Sequence, residues 1–313
     1  MLMRENLEST FGDLLAILRF RLSQLKLIVP VTPHQLKPWA EKANKTDDPM
    51  GTNTGVSSRT RKSSKKMTKP VIVIVPGAWH QAIHYQLLTD RLQQAGYDVH
   101  ALNLPCTGEN PTPEVWKDDI AHIRGTVERA SDSGRDVVVV MHSRGGLPGG
   151  DAMEGMSKED RGQQGKAGGV VHLVYITSFA APEGVSLSDV TGGPAAWVKL
   201  TEDKSMIFPG TVEKVLYNDC PPHVVEEQKK HIRLIPPSVL SAHKARYAAW
   251  KHIPSTYLVC EQDNAIPLPA QEALISQPGA QFRVERCSAS HSPFLSMPDL
   301  TAEVVRRAAG EQI

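Results

Sequence analysis

The stretch Asp136-Val-Val-Val-Val-Met141-His142-Ser143-Arg144-Gly145-Gly146 decides the fold. Four consecutive valines show no polar–apolar alternation, so they suit a strand covered on both faces, as in a parallel sheet. The run then breaks into a small-residue turn with a serine at its centre. A sharp strand-to-helix turn lifts such a serine above the sheet edge, and small residues two positions to either side relieve the crowding, the pattern G-x-S-x-G. Gly145 supplies the second glycine. Met141 stands at the first, so a methionine side chain must find room beside the turn. Ser143 is the candidate nucleophile; the plainer reading makes it the N-cap of the following helix.

Working outward, Val71-Ile-Val-Ile-Val75 is a second continuous β-branched run. A helical pattern over Ala82–Ala95 closes at Gly96, and Tyr97–Leu102 reads as the next strand. Trp116–Ser131 reads as a helix, Gly134 precedes the valine strand, and Val170–Ile176, Ser255–Cys260 and Gln281–Arg286 complete the strand series. Strands alternating with helices at this spacing imply a doubly wound, mostly parallel α/β sheet with right-handed crossovers. The rhythm breaks between Glu183 and His252, where about 70 mostly helical, turn-rich residues read as a cap inserted over the strand ends. No internal repeat is seen.

The chain has 313 residues and a net charge of +1, but residues 1–70 hold 13 Lys/Arg against 6 Asp/Glu, a net of +7, and the remainder is −6. The near-neutral sum argues against nucleic acid as a partner. Residues 37–69 are polar, poor in large apolar residues, and end in the basic run Arg59–Lys66, so residues 1–66 read as a basic, disordered extension and residues 67–313 as the folded domain. The basic run has the composition of a nuclear address or, more plainly, of a solvated linker. Leu7–Ile28 has helical periodicity that suits a targeting helix, although Glu5, Glu8 and Asp13 weaken a mitochondrial reading. Met67, just before the first core strand, offers a second start. No run of about 18 uncharged apolar residues occurs, which speaks against a spanning helix. Cys106, Cys220, Cys260 and Cys287 are scattered without a CxxC pair, which fits a reducing, cytoplasmic setting and no zinc ribbon.

In an open parallel sheet, ligands gather beyond the carboxyl ends of the strands. Besides Ser143, two such ends carry reactive residue types. Cys260-Glu261-Gln262-Asp263 offers two carboxylates able to orient an imidazole, and Ser288-Ala-Ser-His291-Ser-Pro293 offers a general base. Each is ordinary alone. The order Ser…Asp…His, every member following a strand, is the order that a hydrolytic triad takes on a sheet with such an elbow, and the three together are far less ordinary than each alone. The oxyanion hole needs two backbone N–H groups: Arg144 N–H follows the nucleophile, and Ala78 N–H lies in the Pro76-Gly77-Ala78-Trp79 turn after the first core strand. His80-Gln-Ala-Ile-His84 has the spacing of a helical zinc pair but no Glu and no third ligand, so no metal is expected; His80 instead suits the pocket mouth. Trp79, Trp197 and Phe294 are candidate pocket walls. The Arg144 side chain reads as solvated and His142 as packing that points away from the nucleophile.

Val71–Leu104, the elbow, Ser178-Phe-Ala-Ala-Pro182, Cys260–Pro267 and His291–Pro298 together resemble the α/β-hydrolase superfamily, and more closely its small-esterase branch of plant methyl esterases, hydroxynitrile lyases and fungal relatives. The resemblance covers about residues 67–313. It implies the α/β-hydrolase fold, selects Asp263 over Glu261 as the acid, and implies a cofactor-free serine hydrolase acting on a small-molecule ester, thioester or lactone. The lyases carry Thr where this chain has Gly77 and Lys directly after the histidine, where this chain has Ser292, which favours hydrolysis. The other classes are a ligand-binding receptor on the same scaffold and a lyase or cyclase of secondary metabolism.

Overall fold

The computed structural model describes residues 68–313. The expectations for residues 1–66, and the second start at Met67, lie outside the described residues.

Six strands form one sheet: β1 (Val71–Val75), β2 (Val99–Ala101), β3 (Val137–His142), β4 (Val170–Ile176), β7 (Ser255–Cys260) and β8 (Phe282–Cys287), in the order β2-β1-β3-β4-β7-β8. Every neighbouring pair is parallel. The valine and isoleucine runs explain the order. β1, β3 and β7 are buried along their whole length and take inner positions, whereas β2 and most of β8 are half-buried or exposed and take the edges. The edge position also accounts for β2 being three residues long where six were expected: with a partner on one side only, fewer residues are held in the ladder.

The chain places α1 (Gln86–Gln94) after β1, α2 (Trp116–Asp132) before β3, and α3 (Gly146–Ala152) and α4 (Lys158–Gln163) before β4. After β7 come α9 (Leu268–Ile275), β8, α10 (Pro293–Ser296) and α11 (Pro298–Ala308). The connection from β1 to β2 runs one way across the sheet and those to β3, β4 and β8 run the other. Right-handed crossovers therefore put α1 on one face and α2, α3 and α9 on the opposite face; α11 packs on α1, and α2 on α3. The helix expected over Ala82–Ala95 opens instead as a 3-10 turn, Ala82–Tyr85, before α1. His84 Nδ1 accepts the Gln81 N–H there and tightens the turn.

Between β4 and β7 lie the short helices α5 (Leu187–Thr191), α6 (Val212–Val215), α7 (Pro222–Lys229) and α8 (Ser238–Ser241). This stretch also contains an antiparallel pair, β5 (Val198–Leu200) and β6 (Ile207–Pro209), which the helical reading of the segment did not include. Ile207 is buried, bridges to Ile235, and packs with it into the main hydrophobic core. Among the described residues no helix is long and apolar enough to cross a membrane.

Register decides where the site lies. Val75 pairs with Met141, Met141 with Tyr175, Ile176 with Leu258, and Cys260 with Cys287. The strands end within three residues of one another in this register, and the loops after β1, β3, β7 and β8 emerge along the same edge of the sheet. Strand order reverses between β1 and β3, and the crevice where neighbouring connections part to opposite faces is where ligands bind in such sheets.

Candidate active site

The turn after β3 is as sharp as its sequence requires. Ser143 has φ 51°, a left-handed conformation that costs a non-glycine residue about 1–2 kcal/mol and is held by its surroundings. A Cβ on Gly145 would lie 2.6 Å from the Pro76 carbonyl oxygen, and one on Gly146 would lie 2.5 Å from the Ser178 hydroxyl. These glycines let the elbow sit against its neighbours. The Ser143 carbonyl accepts bonds from Ser178 Oγ (2.8 Å) and the Phe179 N–H (3.0 Å), which pins Ser143 from the loop after β4. Met141 finds its room one turn further on: its side chain is fully buried, and a Cβ on Gly149 would lie 2.6 Å from its sulfur. The glycine missing before the serine is matched by a glycine in α3.

His291 is buried between β8 and α10, and its Nδ1 lies 2.8 Å from Asp263 Oδ2. Asp263 Oδ1 accepts the N–H groups of Ala265 (2.7 Å) and Ile266 (2.9 Å), so both carboxylate oxygens are occupied. Glu261 is exposed and plays no part in this arrangement. An acceptor facing Nδ1 places the imidazole proton there and leaves Nε2 as the free base. The Thr177 hydroxyl lies 3.3 Å from both the His291 carbonyl and Nδ1.

The turn after β1 is fixed by two neutral histidines. His80 Nδ1 donates to the Ala78 carbonyl (2.8 Å), and its Nε2 accepts the Tyr217 hydroxyl (2.9 Å). His142 Nε2 donates to the His291 carbonyl (2.9 Å), and its Nδ1 accepts the Tyr85 hydroxyl (2.8 Å), whose oxygen in turn accepts the Gly77 N–H (3.0 Å). Burial holds the pKa values of both imidazoles well below the usual histidine range, which keeps them neutral, and the carbonyl that each one faces fixes its tautomer. His142 is therefore more than packing. Gly77, the elbow and the His291 backbone form one buried chain of hydrogen bonds through Tyr85, a residue that no sequence pattern marked. Gly77 has no space for a side chain, since a Cβ there would lie 2.7 Å from His142 Nδ1.

Two expectations change. Arg144 is not solvated: its side chain is 1% exposed, with Nη2 2.8 Å from the fully buried Asp119. Asp119 is anchored by the Cys106 N–H, and a sharp turn pressed against α2 leaves the guanidinium no route to water. Phe294 is not a pocket wall. It is buried behind the elbow, 4.3 Å from the Tyr85 ring and 4.9 Å from that of His142, because α10 turns it into the core. His80 and His84 do not form a metal pair, since both His80 nitrogens have partners; among the described residues no cluster of three or more ligating side chains is placed to hold a metal ion.

Ser143, His291, Ala78 and Arg144 all border one cavity with about 600 Å³ of empty space. Trp79 and Trp197 meet edge to face at 5.6 Å in its wall, beside Phe179, Leu187, Leu240 and Ile266. His80 also borders it, from a buried position rather than from the mouth. Among the described residues no Asp, Glu or Lys lines this cavity, and the charge of Arg144 is turned away into its pair with Asp119.

Residues 72–304 match the family described as "Alpha/beta hydrolase family". The chain is 37% identical over 251 residues to the alpha/beta hydrolase nvfD of Aspergillus novofumigatus, covering 79% of this chain and 99% of that one. It is 24% identical to methylesterase 7 of Arabidopsis thaliana, over 74% of this chain and 94% of that one. Among solved structures it resembles polyneuridine aldehyde esterase with a TM-score of 0.60 at 19% identity, over 76% of this chain and 98% of the other.

Proposed function

The chain belongs to the alpha/beta hydrolase family, and on that premise we propose that it is a serine esterase hydrolysing an uncharged carboxylic ester of a small molecule. The observation that carries this is the meeting of a left-handed Ser143 and the His291–Asp263 pair at one uncharged, largely apolar cavity. Ser143 Oγ attacks the acyl carbon while His291 Nε2 takes its proton, and Asp263 holds the imidazolium that forms. The N–H groups of Ala78 and Arg144 receive the developing oxyanion. Among the described residues no backbone acceptor takes the Ala78 N–H. His291 returns the proton to the leaving alcohol, then activates water against the acyl-enzyme. This chemistry calls on no cofactor.

A pocket with no counter-ion favours a neutral ester over a substrate bearing a free carboxylate, because a desolvated charge without a partner is costly. The crowding at Gly77 also leaves no room for the hydroxyl that the related lyases carry there, which favours hydrolysis over cyanohydrin cleavage. The test is a screen of p-nitrophenyl butyrate against mono-p-nitrophenyl succinate, with thioesters and lactones alongside. The neutral ester turns over, the succinate is poor, and Ser143→Ala abolishes both. Most activity surviving in Ser143→Ala would sink the assignment, and a single slow turnover with tight retention would favour a receptor.

A further inference from the structure

One segment between β4 and β7 touches three of the loops that carry the proposed chemistry, those after β1, β7 and β8. The Tyr217 hydroxyl donates to His80, which holds the turn after β1. Asn218 Nδ2 donates to the Gln262 carbonyl (3.0 Å), and Asn264 Nδ2 donates to the Lys214 carbonyl (2.8 Å), on either side of Asp263. The Asp219 carboxylate accepts both the N–H (2.9 Å) and the hydroxyl of Ser290, the residue before His291. We propose that Asp219 is a positioning residue for His291, reaching the histidine loop from the segment that overlies the strand ends.

The physical case rests on what else holds that loop. The His291 carbonyl is gripped from below by His142 and Thr177, and its ring by Asp263. On the N-terminal side, the bonds to Asp219 fix the Ser290 peptide and hydroxyl. Ser290 is fully buried and Asp219 half-buried, so a water that takes the place of a removed carboxylate reaches these donors only from the Asp219 side and brings neither its charge nor its fixed direction. A carboxylate accepting two donors at once makes charge-assisted bonds that define direction as well as distance. Peptide rotation at Ser290 swings the His291 Cα–Cβ bond and carries Nε2 away from Ser143. The cavity walls, built from Trp79, Trp197 and their neighbours, are untouched by such a swing. Substrate binding and chemistry should therefore separate.

The inference rests on the serine-esterase reading, and the experiment tells the two apart. Wild type, Asp219→Ala and Asp219→Asn are compared in the full chain by kcat and KM for p-nitrophenyl butyrate and by the rate of Ser143 labelling with a fluorophosphonate. Asp219→Ala should lose roughly 10- to 100-fold in kcat and in labelling rate, the scale of a misplaced catalytic group, with KM within about twofold. Asp219→Asn keeps an acceptor for the Ser290 N–H and should recover most of the loss. A kcat and labelling rate for Asp219→Ala within about twofold of wild type overturn the proposal, as does a parallel rise in KM that Asn does not rescue. If Asp219→Ala does not fold, Ser290→Ala, which removes only the hydroxyl bond, decides: a fall in kcat of about threefold or more at constant KM supports the proposal, and an unchanged kcat overturns it. A wild type that neither labels nor turns over an ester refutes the underlying reading instead.

Discussion

Tyr85→Phe removes one oxygen atom and leaves the ring in place against Phe294. That oxygen serves two buried groups, accepting the Gly77 N–H at 3.0 Å and donating to His142 Nδ1 at 2.8 Å. Tyr85 and His142 are both fully buried, and the space of a lost hydroxyl is too small for a water with partners of its own. Each orphaned group costs about 1–3 kcal/mol. Part of the second loss relaxes because His142 keeps its bond to the His291 carbonyl, so the net destabilisation should be about 2–4 kcal/mol. At about 2–4 °C per kcal/mol for a domain of this size, the melting temperature should fall by roughly 4–16 °C. Activity should fall as well, because Gly77 precedes Ala78 and the freed peptide loosens the proposed oxyanion donor. The expected kcat loss is about tenfold with KM nearly constant. Denaturant titration gives the first quantity and steady-state hydrolysis the second. A stability loss below about 0.5 kcal/mol with unchanged kcat would show that the chain through Tyr85 holds nothing.

Three further outcomes are expected. Asp119→Ala strands the Arg144 guanidinium in the core beside the nucleophile; breaking such a pair costs about 3–5 kcal/mol, readable by calorimetry, and a loss under about 1 kcal/mol would mean that the pair is not buried in solution. Gly149→Ala drives a methyl against Met141 and should destabilise by about 1–3 kcal/mol, whereas the same change in a Met141→Ala background should cost much less, so additivity in the double-mutant cycle would contradict the compensation. Burial lowers the pKa values of His80 and His142 well below the ordinary value, and those of His84 and His172 to about 4. Between about pH 6.5 and 4 the unfolded chain takes up protons that the folded chain refuses, so stability falls as pH drops through that window, by up to about 1.4 kcal/mol per pH unit for each histidine. Melting temperatures at pH 7.5 and 5 check this, and equal values would contradict it.

The buried strands were legible because four valines or a Val-Ile alternation admit few environments, and strand ends fell within one residue of the expected positions except at the edge strand β2, which begins two residues late. The residues set at strand ends were legible as a pattern of order. Parallel register along one edge then brings Ser143, Asp263 and His291 together, which a linear sequence does not display. Asp263 and Glu261 were separated only by a resemblance; the structure gives the physical difference, two N–H groups and an imidazole around one carboxyl and water around the other. Arg144, Phe294 and His142 were misjudged for one reason. Their surroundings come from α2, α10 and the loop after β1, more than 20 residues distant or set by helix rotation, and an arginine after a serine reads as solvated until Asp119 is seen beneath it. Tyr85 and Asp219 gave no local signal, since a tyrosine in a helical pattern and an aspartate in a polar loop are ordinary. Met141 did give one, and the glycine that answers it lies eight residues away in the same sequence.

The central claim is that Ser143 is a nucleophile activated by His291. The most direct measurement is mass spectrometry of the full chain after exposure to a fluorophosphonate, with peptide mapping of the adduct. The account predicts stoichiometric labelling on Ser143 that is lost in Ser143→Ala and slowed by orders of magnitude in His291→Ala. A folded protein that takes no label at Ser143, or labels equally fast without His291, would contradict it.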